Sequence, residues 1–149
     1  MILVDVNLLV YATVIGSAHH PAAKAWWENQ LRGTEPVGVG WITVLGFLRI
    51  ATNLRAVIRP LPLQQALELV DSWLSNPCVR LLEPTSGHWP ALRRFLTLRG
   101  SGGNATTDAH LAALAVEHDC ELVSCDADFG KLQGLRWRNP LVSGSAAPS

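Results

Sequence analysis

The chain has 149 residues, of which 48% are apolar and 16% charged, and its formal net charge is zero. That length and apolar content suit one domain with a substantial core and exclude an intrinsically disordered chain. No apolar run approaches the length of a membrane span. The neutral balance argues against a broad basic face for nucleic acid, although ten of the twelve cations are Arg, which suits bidentate contacts to phosphate.

Cys78, Cys120 and Cys125 are odd in number and lack zinc-like spacing, so they read as free thiols in a reducing compartment. No Lys or Arg precedes the first apolar run, which makes a poor signal peptide. The expectation is a cytoplasmic protein without a membrane segment.

Ile2, Leu3 and Val4 form a continuous apolar run, as in a strand buried on both faces. Asp5 and Asn7 interrupt it where a strand should give way to a helix. A charge there is costly unless paired or metal-bound, and Asp5 or Asn7 can also cap the next helix. A short helix over 8–15 stops at Gly16-Ser17. His19-His20-Pro21 reads as a loop, in which adjacent histidines rarely converge on one ion. Pro21 then opens a helix over 22–31. A strand is expected over 37–40 and a helix over 44–53, with Arg49 a candidate phosphate contact.

A loop over 54–60 leads to an amphipathic helix over 61–75 that carries Ala66, Leu67, Val70, Trp73 and Leu74 inward and ends at Asn76-Pro77. A strand follows over 79–82. Ser86 is expected to cap a helix with Trp89, Leu92, Phe95 and Leu96 inward and Arg93, Arg94 and Arg99 outward. Gly100-Ser101-Gly102-Gly103 is a connector without the Gly-Lys-Ser/Thr ending of a P-loop. Thr106 and Thr107 are good N-caps for a helix from about Asp108, with Leu111, Leu114 and Ala115 as its stripe. A strand over 121–124 is followed at once by Asp126 and Asp128. A last edge strand is expected over 135–137, and 142–149 reads as a disordered tail.

This order of elements predicts one α/β domain over 1–141, a three-layer α/β/α sandwich around a mostly parallel sheet. Taken singly, an Asp in a first helical turn is explained by the helix dipole, and an Asp-x-Asp after a strand by a turn. A third acid at the far end of the chain changes the weight. The ends of the first and fourth strands should bring Asp5, Asp126 and Asp128 together, with Asp108 across from them, where ligands collect on parallel sheets. Two carboxylates about 4 Å apart repel by roughly 4 kcal/mol at an effective dielectric of about 20. Such a group either keeps protons at neutral pH or binds a divalent cation, and oxygen ligands suit Mg²⁺ or Mn²⁺.

Asp5 with Asn7, Thr107-Asp108-Ala109-His110 opening a late helix, and Ser124-x-Asp126-x-Asp128-Phe129 after a late strand together resemble the PIN-domain ribonucleases. More narrowly, the chain resembles a VapC-type toxin of a type II toxin–antitoxin pair. The resemblance implies a PIN-like fold and metal-dependent endonucleolytic cleavage of RNA, with Mg²⁺ or Mn²⁺ as cofactor. It implies Asp5, Asp108 and Asp126 as metal ligands, Asp128 as a further catalytic carboxylate, and Asn7, Thr107 and Ser124 as orienting groups. It also implies a homodimer and a VapB-type antitoxin whose C-terminal segment blocks the cleft in a hetero-oligomer. One position departs from the family pattern: Gly46 stands where a Glu is usual. Two other readings therefore stand beside it. One is an inactive PIN-like module that binds RNA or protein. The other is a haloacid-dehalogenase-like phosphatase, which needs a second Asp where this chain has Asn7.

Overall fold

The computed structural model describes residues 1–142; the expected tail over 143–149 lies outside them. The elements are β1 (Ile2–Val4), α1 (Val6–Thr13), α2 (His20–Arg32), β2 (Val37–Gly40), α3 (Trp41–Ala51), α4 (Leu63–Leu74), β3 (Val79–Leu82), α5 (His88–Arg99), α6 (Ala105–Glu117), β4 (Glu121–Val123), a 3-10 turn (Ala127–Lys131) and β5 (Trp137–Arg138). The strands form one sheet in the order β3-β2-β1-β4-β5, and every pairing is parallel.

Side chains alternate between the two faces of a strand, and this divides the interior into two cores. Ile2, Val4, Val37, Val39 and Val123 point to one face, against Leu8 and Leu9 of α1, Trp27 of α2, Phe47 of α3 and Trp73 of α4. Leu3 and Leu122 point to the other, against Phe95 of α5, Leu114 of α6 and Phe129. The result is the expected three layers. Helix α6 lies between the sheet and α5, so Ala105, Ala109, Ala112, Ala113 and Ala115 are all buried.

The Val-Gly-Val-Gly sequence of β2 follows from this sandwich. Its valines enter the first core. Its glycines face the second, where a Cβ on Gly38 would stand 2.5 Å from Leu82 Cδ1 and one on Gly40 would stand 3.0 Å from Leu114 Cδ2. The missing side chains let the α5–α6 layer close onto the strand.

Several boundaries differ from expectation. Helix α1 begins at Val6, because Asp5 rather than a later residue is its cap. Helix α3 begins at Trp41, directly after β2, where extended Gly40 serves as N-cap without a side-chain bond. Gly87, not Ser86, precedes α5, and Trp89 is 64% exposed instead of inward. Trp89 lies in the first turn, beyond the part of α5 that reaches the core through Phe95. His20 enters α2, and its Nδ1 lies 2.8 Å from the Tyr11 carbonyl, so the two histidines do not converge. Cys78, Cys120 and Cys125 are free thiols.

Gly38→Ala should cost about 1–3 kcal/mol, the scale of overpacking in a close-packed core. Chemical denaturation measures this, and an unchanged midpoint would contradict the close packing of Leu82 over Gly38.

Candidate active site

Parallel pairing of β1 with β4 sets Val4 opposite Val123, so the residues that follow both strands emerge side by side. Asp5 N donates to Val123 O at 3.0 Å. The Asp5 backbone is extended, and its Oδ1 accepts from Val6 N at 2.7 Å, capping α1. Its Oδ2 accepts from Ser124 Oγ at 2.6 Å. Ser124 is fully buried. Its hydroxyl also accepts from Asn7 Nδ2 at 3.1 Å and from Asp126 N at 3.0 Å. One proton and two lone pairs are all that a hydroxyl offers, and all are used. Asn7 Oδ1 accepts from Cys125 N at 3.3 Å, which closes the network.

Asp126 caps the 3-10 turn, its Oδ1 accepting from Asp128 N at 2.9 Å. Asp108 comes from the other side of the cleft, on the first turn of α6. That helix starts at Ala105, earlier than the threonines suggest. Thr107 Oγ1 donates back to Asn104 O at 2.9 Å instead of capping. Gly102 and Gly103, both at positive φ, turn the connector directly into the helix, and Ala105 N donates to Gly102 O at 3.1 Å. A cavity of about 450 Å³ is lined by Asp5, Asn7, Thr43, Gly46, Arg49, Thr107, Asp108 and Asp126, with Ile42, Leu45 and Leu111 at its apolar end. An apolar groove of about 360 Å³ adjoins it, sharing Val6, Asn7 and Ile50.

Burial pushes Asp5 above the ordinary carboxylate range; its bonds from Ser124 and Val6 oppose this, while Asp108 and Asp126 add to it. Burial also raises Asp108, against the pull of Arg99, with Asp126 and Asp128 pushing further up. Burial raises the Cys125 thiol to about 11, with Asp5 adding to it, so it is no nucleophile at neutral pH. Asp128 stands apart. It is half-exposed, Lys131 Nζ lies 3.0 Å from its Oδ1, and that cation holds it below the usual range.

The residues named from sequence are thus mostly gathered at one cleft. Asp5, Asn7, Thr107, Asp108, Asp126 and Arg49 line it, and Ser124 lies beneath it. Asp128 sits at the rim. Among the described residues, no three His, Cys, Asp or Glu side chains converge as a ready-made metal cage. Each carboxylate is instead held in its own hydrogen bonds, as mutual repulsion favours.

Arg99 is the residue that sequence reading misplaced. It was expected outward, yet Nη2 lies 3.2 Å from Asp108 Oδ2 and 3.7 Å from Asp128 Oδ2. Its place at the C-terminal end of α5, one short connector before Asp108, is the signal that could have found it. The other outward arginines behave as expected. Arg94 packs over the Phe95 ring and donates to Gln133 O at 3.1 Å.

The PIN domain family profile matches residues 2–135. The chain is 44% identical over 140 residues to the ribonuclease VapC37 of Mycobacterium tuberculosis, covering 94% of this chain and 97% of that one. It is 40% identical over 141 residues to the ribonuclease VapC33 of the same species, covering 95% and 99%. Among solved structures, VapBC2 from Rickettsia felis bound to a promoter DNA fragment superposes with a TM-score of 0.66 at 16% identity, covering 93% of this chain and 98% of that one. VapBC-1 from nontypeable Haemophilus influenzae gives 0.65 at 19%, covering 94% and 98%. The phosphatase alternative gives way to these matches. The family match, sequence likeness over nearly the whole chain and likeness of fold agree: the chain belongs to the PIN-domain family, within its VapC branch.

Proposed function

We propose that this chain is a metal-dependent endoribonuclease, the toxin of a toxin–antitoxin pair, acting on RNA in the cytoplasm. The observation that carries the reading is the meeting of Asp5, Asp108 and Asp126 on one cleft. Its context is a chain 44% identical to a protein named a ribonuclease. The donor set fits a hard divalent cation. All its donors are oxygen, Asp5 and Asp108 are raised by burial and by neighbouring acids, and Asp108 Oδ1 and Asp126 Oδ2 have no hydrogen-bond partner among the described residues.

Asp5, Asp108 and Asp126 would hold the ion, with Asp128 standing at the rim. Bound there, Mg²⁺ or Mn²⁺ would supply a Lewis acid for a phosphoryl oxygen and acidify water for attack. The Ser124 proton keeps Asp5 Oδ2 fixed, and Asn7 and the Asp126 N–H keep Ser124 fixed in turn, the outer-shell role such groups play at metal sites. Arg49, exposed on the opposite wall and without an ion-pair partner among the described residues, is suited to phosphate oxygens. Thr107 lines the cleft from α6, next to Asp108.

The solved neighbours are titled as VapBC pairs, which supports a VapB-type antitoxin as partner. The apolar groove beside the carboxylates, with Val10, Val14, Val57 and Ile58 in its walls, suits an apolar segment of that partner. A homodimer would cover exposed apolar side chains such as Trp41 and Leu45.

A second reading rests on Gly46. A Cβ there would lie 3.3 Å from Val6 Cγ2, so Val6 already packs over the place from which a fourth carboxylate would extend. With three acids in the cleft, the chain would bind RNA or a protein partner without cutting.

Purified protein incubated with total cellular RNA and Mg²⁺ or Mn²⁺ should yield discrete fragments, absent with EDTA. Asp5→Asn should slow cleavage by at least about 100-fold, since losing even an outer-shell partner of a metal ligand costs roughly 10–100-fold. Cleavage by Gly46→Glu alone, with none by the wild type, would establish the second reading.

A different variant, Asp126→Asn, separates chemistry from folding. The raised affinities of Asp5 and Asp108 mean that the folded state binds protons more tightly than the unfolded chain. Stability of the metal-free protein should therefore be greatest at low pH on this account and fall as pH rises through the folded-state values. Asp126 uses only Oδ1, to cap the 3-10 turn, and its charge pushes on both Asp5 and Asp108. Asn there keeps the cap acceptor without the charge, so Asp126→Asn in EDTA should melt at a higher temperature than wild type at neutral pH. A lower melting temperature would contradict the electrostatic account of the cleft.

A further inference from the structure

The guanidinium of Arg99 stands between two carboxylates. Asp108 Oδ2 is 3.2 Å away and Asp128 Oδ2 is 3.7 Å away. The two acids are differently served. Lys131 already neutralises Asp128 at 3.0 Å. Asp108 has no other cation among the described residues, and its side chain is more buried than that of Asp128. The segment just after Arg99 is open. Gly100, Gly102 and Gly103 adopt positive φ, and a Cβ on any of them would meet nothing within 4 Å. Arg99 therefore ends a helix whose next residues are free of packing, at the edge of the carboxylate cleft.

We propose that Arg99 is a built-in competitor for the divalent cation at Asp108, and that Asp128 is the acceptor to which its guanidinium retreats when the cation binds. The proposal rests on the metal-dependent reading given above. In the absence of an ion, Asp108 Oδ2 is held by Arg99, and Asp5 and Asp126 are held by Ser124 and the turn. A cation entering among the three meets Arg99 as a like charge beside one of its ligands. A short rotation of the Arg99 side chain exchanges Asp108 for Asp128, which lies only slightly farther away. Arg99 is thus a positioning residue that acts through Asp108. It gives Asp128 a function other than ligation, consistent with its place at the rim and its pairing with Lys131. The absence of a fourth acid at Gly46 makes the competition count for more, because fewer carboxylates offset the guanidinium.

Mn²⁺ binding is the readout, measured by titration calorimetry on the full chain at fixed salt, with no RNA present. Arg99→Gln should bind Mn²⁺ roughly tenfold more tightly than wild type, the scale of one charge-assisted hydrogen bond no longer broken on binding. Arg99→Lys, which keeps the charge, should stay nearer the wild type. Asp128→Asn should bind more weakly, and Arg99→Gln with Asp128→Asn should match Arg99→Gln alone, because Asp128 acts only through Arg99. Asp108→Asn controls for the metal reading and should abolish binding. Equal or weaker binding by a folded Arg99→Gln protein, with Asp108→Asn still abolishing it, would overturn the role of Arg99 and leave the metal site standing. Weaker binding by the double variant than by Arg99→Gln would make Asp128 a ligand and overturn its role as acceptor. No Mn²⁺ binding by any variant would remove the metal reading and this inference with it.

Discussion

The interaction on which the cleft depends is the single buried hydroxyl of Ser124. It donates to Asp5 Oδ2 and accepts from Asn7 and from the Asp126 backbone. Three segments that are remote in sequence meet on that one oxygen. A buried polar group with every bond made is rigid, and removing one partner leaves the others unsatisfied. The parallel pairing of β1 with β4 is what makes the meeting possible. It places Asp5 and Ser124 at neighbouring strand ends, where their backbones still pair, Asp5 N with Val123 O and Ser124 N with Arg138 O, and their side chains meet.

The layers around this point serve the same geometry. Small side chains on α6 and the paired glycines of β2 draw the α6 layer close to the sheet. Asp108, on the first turn of α6, is thereby held over the ends of β1 and β4. A bulkier layer would carry Asp108 away from Asp5 and Asp126. Packing and electrostatics thus oppose each other at this cleft. The two cores drive the acids together, while their charges resist. Burial is the main cause of the raised proton affinities of Asp5 and Asp108, and the neighbouring acids add to it.

The first four strands were readable from sequence because each is a short, largely apolar run at an element boundary. The neighbouring ends of β1 and β4 were foreseen, while the rest of the sheet order and the bounds of β5 were not. Asp5, Asp108 and Asp126 were readable because each interrupts an apolar segment at an element boundary, where a charge needs a reason. Asp5 shows that the structural and chemical explanations need not compete, since the same carboxylate caps α1 and faces the cleft. The helix starts were less legible. Threonines at 106 and 107 have the right chemistry for caps, but positive-φ glycines upstream had already set the turn. Arg99 was missed for a different reason. Helical periodicity tells which face a residue occupies, but an arginine at the last turn can reach past the helix end, and periodicity does not constrain where its guanidinium goes.

Charge accounting joins the neutral composition to the site. A chain without net charge cannot attract a polyanion by its overall field, so recognition must be local. The described cleft has that local character. Three acids line it together with Arg49, which has no ion-pair partner among the described residues, and Arg99 pairs with Asp108. Gly46 removes what would otherwise be a fourth negative charge close to Val6 and Arg49. On the proposed metal-dependent reading, the missing acid would cost cation affinity and would spare an approaching phosphate one repulsive neighbour; among the described residues Arg49 has no ion-pair partner. A cleft with fewer carboxylates and an unpaired arginine leans toward its anionic ligand, while one with more carboxylates leans toward its cation. On the proposed reading that balance would be set by two positions, Gly46 in the cleft lining and Arg99 beside Asp108.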